Sequence, residues 1–326
     1  MDSNAVLFVR LIFRFIFAMS VTIMPVSGNV FARDASAVQN LPLWKINSSP
    51  PSWLFGVIHL PDERVAALPD TVQKAFEQSN AFYAEIPMDS RMQLKLTLGM
   101  LRADQKTLTD VLPRNTFLRL QQRLKKIDPK LSAGASFIGM KTWNIMMSLV
   151  VLENQSKHPQ SKSLDLSLYQ LAQQAGKRVG GIESVEQYLG YLDQFSEQEQ
   201  IEMLENKLRQ MEMAEKEHTS VSEIMIQWYL TGNVNNIHHM IEFPILHNIA
   251  LQHRAIKSLV TDRNKVMANS IAEILRLHPG ESHFFAVGAA HLRGSFSVQH
   301  HLQKLGLSIQ RYTVASNDAD GHTELP

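Results

Sequence analysis

Two stretches near opposite ends of the chain share one build, an apolar run that delivers Gly-x-x-His. The first is Trp53-Leu54-Phe55-Gly56-Val57-Ile58-His59-Leu60 and the second Phe284-Phe285-Ala286-Val287-Gly288-Ala289-Ala290-His291-Leu292. Short β-branched and aromatic runs bounded by turn residues read as strands. A glycine within such a run marks a close approach of backbone or ligand. Most of the chain lies between the two. The first and last parts of the protein are therefore expected to share a sheet, with both histidines closing one site.

The segments around them extend the pattern. Leu43-Trp44-Lys45-Ile46 reads as a short strand, the cluster Asn47 to Pro51 as a turn, and Trp53 to Ile58 as its hairpin partner. Pro61 and Asp62 end that strand just past His59. In open α/β sheets the carboxyl ends of the strands are where ligands bind. Leu68-Pro69-Asp70 opens a helix, and Ala81 to Ile86 follows as a strand carrying Glu85 at its end. Strand, helix and strand in that order predict a parallel pair. Lys177 to Ser184 reads as a glycine-bearing strand that ends in Glu183.

The stretch from Met88 to Val260 is otherwise mainly helical. Its helices run over Ser136–Leu152, Leu164–Ala175, Ser196–His218 and Val221–Leu230, the last two with cap signals at Ser196/Glu199 and Ser220/Glu223. Asp262-Arg263-Asn264 precedes a further helix over Val266–Leu277, and Leu307–Val314 is a final strand. The expected fold is α/β, a small and mostly parallel sheet built from N- and C-terminal strands with a large helical insertion. Residues 1–32 are expected to form a leader, 33–314 one domain with the insertion at about 88–260, and 315–326 a polar, disordered tail.

The leader follows from composition. Val6 to Val26 is dominated by Leu, Ile, Phe, Val and Met and gives way to Val30-Phe31-Ala32, a small-residue cleavage pattern. Arg10 and Arg14 leave only about 10 to 12 uninterrupted apolar residues where roughly 20 are needed to span a bilayer. A secretory signal peptide is the expectation, with an uncleaved anchor as the alternative. The protein then works in the periplasm or outside the cell, with no stable membrane insertion once the signal is removed. A formal net charge of +1 gives no basic footprint for nucleic acid. Cysteine is absent, which removes disulfides, thiolate chemistry and Cys-ligated zinc.

What remains for chemistry is imidazole, carboxylate and guanidinium. His59, His291, Glu85 and Glu183 each stand just past an apolar strand. Two histidines and one or two carboxylates suit a divalent cation that carries and acidifies a water. Without metal, a His–Glu pair can activate water as a general base. Arg263 offers a fork of donors for a substrate carboxylate or an oxyanion, and equally for an ion pair. Trp143, Met146 and Met147 on one helix read as core rather than as ligands. His238, His239, His247 and His253 cluster in sequence, but a helical zinc pair wants His at i and i+4 beside a Glu. His238, His239 and Glu242 give one such His-to-acid pair only, so these histidines read as solvated or packing groups.

The chain resembles the TraB/GumN family, which includes the TIKI Wnt-cleaving proteases and the pheromone-shutdown proteins. The matching pieces are Leu43–Ile46, Gly56–His59, Phe82–Ile86, Leu164-Asp165 with the run to Gly181–Ser184, Trp228–Gly232, Arg263-Asn264 and Val287–Gly294. They cover nearly everything from 43 to 314 in order. Asn233 stands where an acidic residue is usual. The resemblance implies metal-dependent peptide hydrolysis with manganese or cobalt favoured. It also implies His59, His291 and Glu85 as the active-site set that holds metal or its water. Glu183 and Arg263 match positions whose role is less settled, expected here as a further ligand or base and a substrate-orienting group. The wider superfamily also holds erythromycin-esterase-like hydrolases that need no metal, and haem-binding proteins. A metal-free esterase-like hydrolase and a non-enzymatic peptide- or haem-binding protein thus stay open as alternatives.

Overall fold

The computed structural model describes residues 41–232 and 248–312. The leader, the tail, Asn233, His238, His239, Glu242 and His247 lie outside the described residues. Six strands form one sheet: β1 (Leu43–Ile46), β2 (Ser52–Val57), β3 (Ala81–Ala84), β4 (Arg178–Gly181), β5 (His283–Gly288) and β6 (Ile309–Arg311). Their spatial order is β4-β3-β5-β2-β1-β6. β2, β5, β3 and β4 run parallel, while β1 is antiparallel to β2 and to β6. The fold is α/β, as its sequence implies.

The hairpin of β1 and β2 forms with Leu43 opposite Phe55 and Ile46 opposite Ser52. β2 and β3 are parallel members of the sheet but not neighbours. β5, from near the end of the described chain, lies between them, pairing Phe55 with Ala286 on one side and Phe82 with Phe284 on the other. The crossover rule sets direction and leaves adjacency open, which explains the difference.

Side chains alternate across this sheet and feed two apolar layers. Phe55, Phe82 and Phe284 point to the larger one, which the helices Asp70–Gln78, Thr142–Lys157, Leu164–Gln174, Glu197–Lys216 and Val221–Leu230 complete. Leu54, Tyr83 and Phe285 point to the other, closed by the helices Arg263–Leu277 and Val298–Lys304. Phe82 and Phe284 stack at 6.1 Å across adjacent strands, and Phe76 meets Phe284 edge-on at 5.5 Å. Each such fully buried ring contributes roughly 1.5–3 kcal/mol. A sheet stapled on both faces is a rigid base for groups at its strand ends.

Most helix starts agree with their caps. Ser196 and Glu199 make a reciprocal capping box, and the Ser220 hydroxyl accepts from the Glu223 N–H. The expected helix over Ser136–Leu152 is instead a short turn of helix at Ala133–Ser136 followed by Thr142–Lys157. Trp143 and Met146 are core residues, whereas Met147 faces solvent. The expected break before Val266 is also absent. The helix Ile249–Ile256 continues through a π-helical stretch, Lys257–Asp262, straight into Arg263–Leu277. Arg263 and Asn264 therefore sit on a helix rather than in a loop. No helix among the described residues is long and apolar enough to cross a membrane.

Candidate active site at the strand ends

Each of the four parallel strands delivers one ionisable residue at its carboxyl end. His59 follows β2, Glu85 follows β3, Glu183 follows β4, and His291 follows β5 on a single 3-10 turn, Ala289–Leu292. The helix Arg263–Leu277 packs on the same face of the sheet as Val287 and Leu292, which brings Arg263 and Asn264 to this edge. Five groups chosen from the sequence thus meet at one place.

Glu85 is the hub. Its Oε1 lies 3.4 Å from His59 Nε2 and 3.6 Å from His291 Nε2, and accepts the Gly288 N–H at 2.6 Å. Its Oε2 accepts from Arg263 Nη2 at 2.6 Å. The same nitrogen reaches Glu183 Oε2 at 2.6 Å, and Arg263 Nε donates to that oxygen at 3.0 Å. Arg263 Nη1 lies 3.5 Å from the Leu259 carbonyl and 3.4 Å from His291 Nε2. The guanidinium thus has a carboxylate or carbonyl acceptor on each of its three nitrogens, and Nη1 also faces the His291 ring. The ring faces of Tyr188 and Tyr191 cover the guanidinium at 5.5 and 5.9 Å. Arg263 is a buried clamp between carboxylates, and a substrate group would have to displace one of them to reach it.

Each histidine also has an outer partner. His59 Nδ1 lies 3.0 Å from Asp165 Oδ2, and His291 Nδ1 lies 2.6 Å from Asn264 Oδ1. The Asn264 amide nitrogen donates to the Phe296 carbonyl at 2.7 Å. Asp165 and Asn264 belong to matched sequence pieces, yet neither stood out as a site residue. An Asp in the first turn of an apolar helix reads as a helix-end charge, and an Asn beside an Arg carries no signal of its own.

The two motif glycines serve different ends. A Cβ on Gly288 would stand 3.1 Å from both Glu85 Oε1 and His59 Nε2, and 3.5 Å from His291 Cδ2. The missing side chain leaves open the space between the three candidate ligands. A Cβ on Gly56 would instead meet Pro42 at 2.6 Å and Leu292 at 2.8 Å. Gly56 lets the segment after β5 pack against β2, and its carbonyl accepts from the buried Tyr229 hydroxyl at 2.9 Å.

The charges are strongly coupled. Burial alone would lower the His59 pKa, but the Asp165 and Glu85 carboxylates outweigh it and raise the imidazole well above its ordinary value. About half of the His59 side chain (48%) is nonetheless open to solvent, so this ring is the cluster's way out. Burial would raise Glu85, yet Arg263 and both histidines hold it well below the usual carboxylate range. Glu183 has only Arg263 against a side chain with no solvent exposure, and burial wins, moving its pKa up. Asp165 is lowered, because its coupling to His59 exceeds the cost of burial.

An α/β protein with imidazoles, carboxylates and a guanidinium gathered at the carboxyl edge of its parallel strands has the layout of a catalytic or ligand-binding domain. The TraB/PrgY/gumN family model matches residues 42–311, and the chain belongs to that family. Metalloprotease TIKI2 of Danio rerio is 27% identical over 311 residues, covering 82% of this chain and 60% of that protein. Metalloprotease TIKI1 of Xenopus tropicalis is 28% identical, covering 87% and 64%, and Metalloprotease TIKI1 of Homo sapiens 26%, covering 88% and 65%. The chain thus spans between 60% and 65% of the length of these relatives. No solved structure matches it.

The relatives' names imply a metal ion, and the residues at the strand ends fit one. His59 Nε2, His291 Nε2 and Glu85 Oε1 are nitrogen and oxygen donors suited to a divalent cation, and Gly288 keeps the space between them clear. The set is open, each imidazole contacting the shared carboxylate. Among the described residues, one tighter trio has its candidate ligand atoms all within 4.8 Å of one another, namely Asp62, Glu63 and His158. There Arg64 already binds Asp62 at 2.7 Å and Glu223 at 2.7 Å, and His158 binds Glu63 at 2.7 Å. That trio is an ion-pair network that ties the segment after His59 to the helix Val221–Leu230.

Proposed function

We propose that this chain is an exported, metal-dependent hydrolase acting on peptides, with His59, His291 and Glu85 as the residues that would hold a divalent ion, manganese or cobalt in preference to zinc. The observation that carries the reading is the convergence of both imidazole Nε2 atoms on one carboxylate oxygen, at 3.4 and 3.6 Å. Three TIKI relatives named metalloproteases support the reaction class. The apolar leader Val6–Val26 supports export to the periplasm or the medium.

Such an ion, when bound, supplies polarisation of a carbonyl and an acidified water. The chain's own residues do the rest. Arg263 keeps Glu85 ionised and in place, and Glu183 in turn holds Arg263 from behind. His59, the exposed member, stands where a peptide backbone can arrive from solvent. The buried His291 and Arg263 exclude water from the far side. The substrate's peptide bond is cleaved by addition of water across C–N, and the amine leaves with a proton that passes through this cluster.

A second reading is supported by one observation. Arg263 already places a cation 2.6 Å from Glu85 and 3.4 Å from His291. A metal-free hydrolase in which His59 and Glu85 handle the water is the corresponding rival. Elemental analysis of the purified protein, with peptide hydrolysis measured in chelator and after manganese is restored, separates the two. Retained metal and manganese-restored activity are expected for wild type, and loss of both in His59→Ala and His291→Ala. Full turnover in chelator would reject the metal reading. Near-normal turnover in either histidine variant would reject the shared site.

A further inference from the structure

Both imidazoles are gripped on Nδ1, each by an acceptor outside the cluster that Glu85 organises. For His59 the acceptor is Asp165 Oδ2 at 3.0 Å, and an ionised carboxylate only accepts, so Nδ1 carries the hydrogen. For His291 it is Asn264 Oδ1 at 2.6 Å. The Asn264 amide nitrogen is committed to the Phe296 carbonyl, which also only accepts, so its oxygen is the end that faces the ring. In both rings Nε2 is therefore the nitrogen left to face Glu85.

Asp165 is otherwise hard to explain. It is buried, and its second oxygen, Oδ1, has no hydrogen-bond partner. A carboxylate with one orphaned oxygen costs free energy to bury. The first turn of the helix Leu164–Gln174 offsets part of that cost through its aligned peptide dipoles. Its contact with His59 supplies the larger part of the rest, and the Ser163 hydroxyl a smaller one.

We infer that Asp165 is the positioning residue of His59, as Asn264 is of His291, and that the pair sets which ring nitrogen faces Glu85. The effect on metal affinity rests on the metal-hydrolase reading above, whereas the ring orientation does not. Outer partners of this kind change metal affinity by about 10- to 100-fold when removed.

The test pairs two readouts on purified protein. Manganese binding by calorimetry is expected to weaken by about 10- to 100-fold in Asp165→Ala. Crystal structures of metal-free Asp165→Ala are expected to show the His59 ring turned away from its wild-type plane. Asp165→Asn keeps an acceptor oxygen, as Asn264 does, and is expected to keep the ring in place. Wild-type manganese affinity with an unturned ring in Asp165→Ala overturns the inference. Should that variant not fold, Asp165→Asn decides: a ring turned to face Glu85 with Nδ1, at unchanged affinity, overturns it equally. If wild-type protein itself binds no manganese, the metal reading fails while the ring result still decides the positioning role.

Discussion

Arg263 Nη2 lies 2.6 Å from Glu85 Oε2 and 2.6 Å from Glu183 Oε2, so one buried nitrogen joins the ends of two neighbouring strands, β3 and β4. Losing one partner of a buried charge set costs about 3–5 kcal/mol, because the remaining charges stay desolvated. Arg263→Leu, which leaves two carboxylates, is expected to lose that much in urea unfolding. Arg263→Lys should lose most of it too, since an ammonium lacks the planar fork. A loss below about 1 kcal/mol in both variants, the range of exposed pairs, would contradict the clamp.

Gly288→Ala places a methyl 3.1 Å from Glu85 Oε1 and His59 Nε2. Making room means moving Glu85 off Arg263 or His59 off Asp165, because each is held by that contact. Manganese affinity and turnover are expected to fall at least about tenfold, in line with the effect of disturbing ligand placement. The thermal midpoint should change little by comparison. Gly56→Ala should do the reverse, since its methyl meets Pro42 and Leu292 in the packing rather than the site. Measuring both variants by calorimetry and thermal melting checks the contrast.

The raised His59 pKa fixes the sign of a pH effect. A proton on Nε2 competes with a metal, so binding must release it. Manganese affinity is expected to rise with pH through the elevated imidazole value, above the ordinary 6.5. Without metal, the stability drawn from the protonated His59 is fully present below the unfolded imidazole value. It fades as pH rises through the folded one. Calorimetry in buffers of different ionisation enthalpy counts the released proton. No proton release at pH 6–7 would show that His59 is already neutral there.

Tyr229→Phe removes the buried hydroxyl that donates to the Gly56 carbonyl at 2.9 Å. The acceptor then stays buried without its partner, at a cost of about 1–3 kcal/mol. Denaturant unfolding should show that loss with an unchanged m-value. An unchanged midpoint would mean the carbonyl finds another donor.

Much of the site is readable in the chain because it is built on strand ends. An apolar run followed by a polar residue fixes both the strand and the place of the side chain. That logic finds His59, Glu85, Glu183 and His291 without knowing which strands pair. It cannot find Asp165 and Asn264, which approach from helices, where one polar residue in a turn has many ordinary explanations. It also places Arg263 before its helix, because a π-helical stretch has no composition of its own and Asp262-Arg263-Asn264 resembles a cap. The position of β5 is a long-range pairing that no local pattern encodes.

That position has a consequence for how the protein comes into being. β2 and β3 share no edge, and only β5, inserted between them, joins the two into one sheet. A growing chain therefore holds His59 and Glu85 on separate pieces through almost all of its synthesis. Pairings over such sequence distances form late and slowly. The cluster can assemble only after His291 has been made, so any reactivity it carries is absent from every shorter length of the nascent chain.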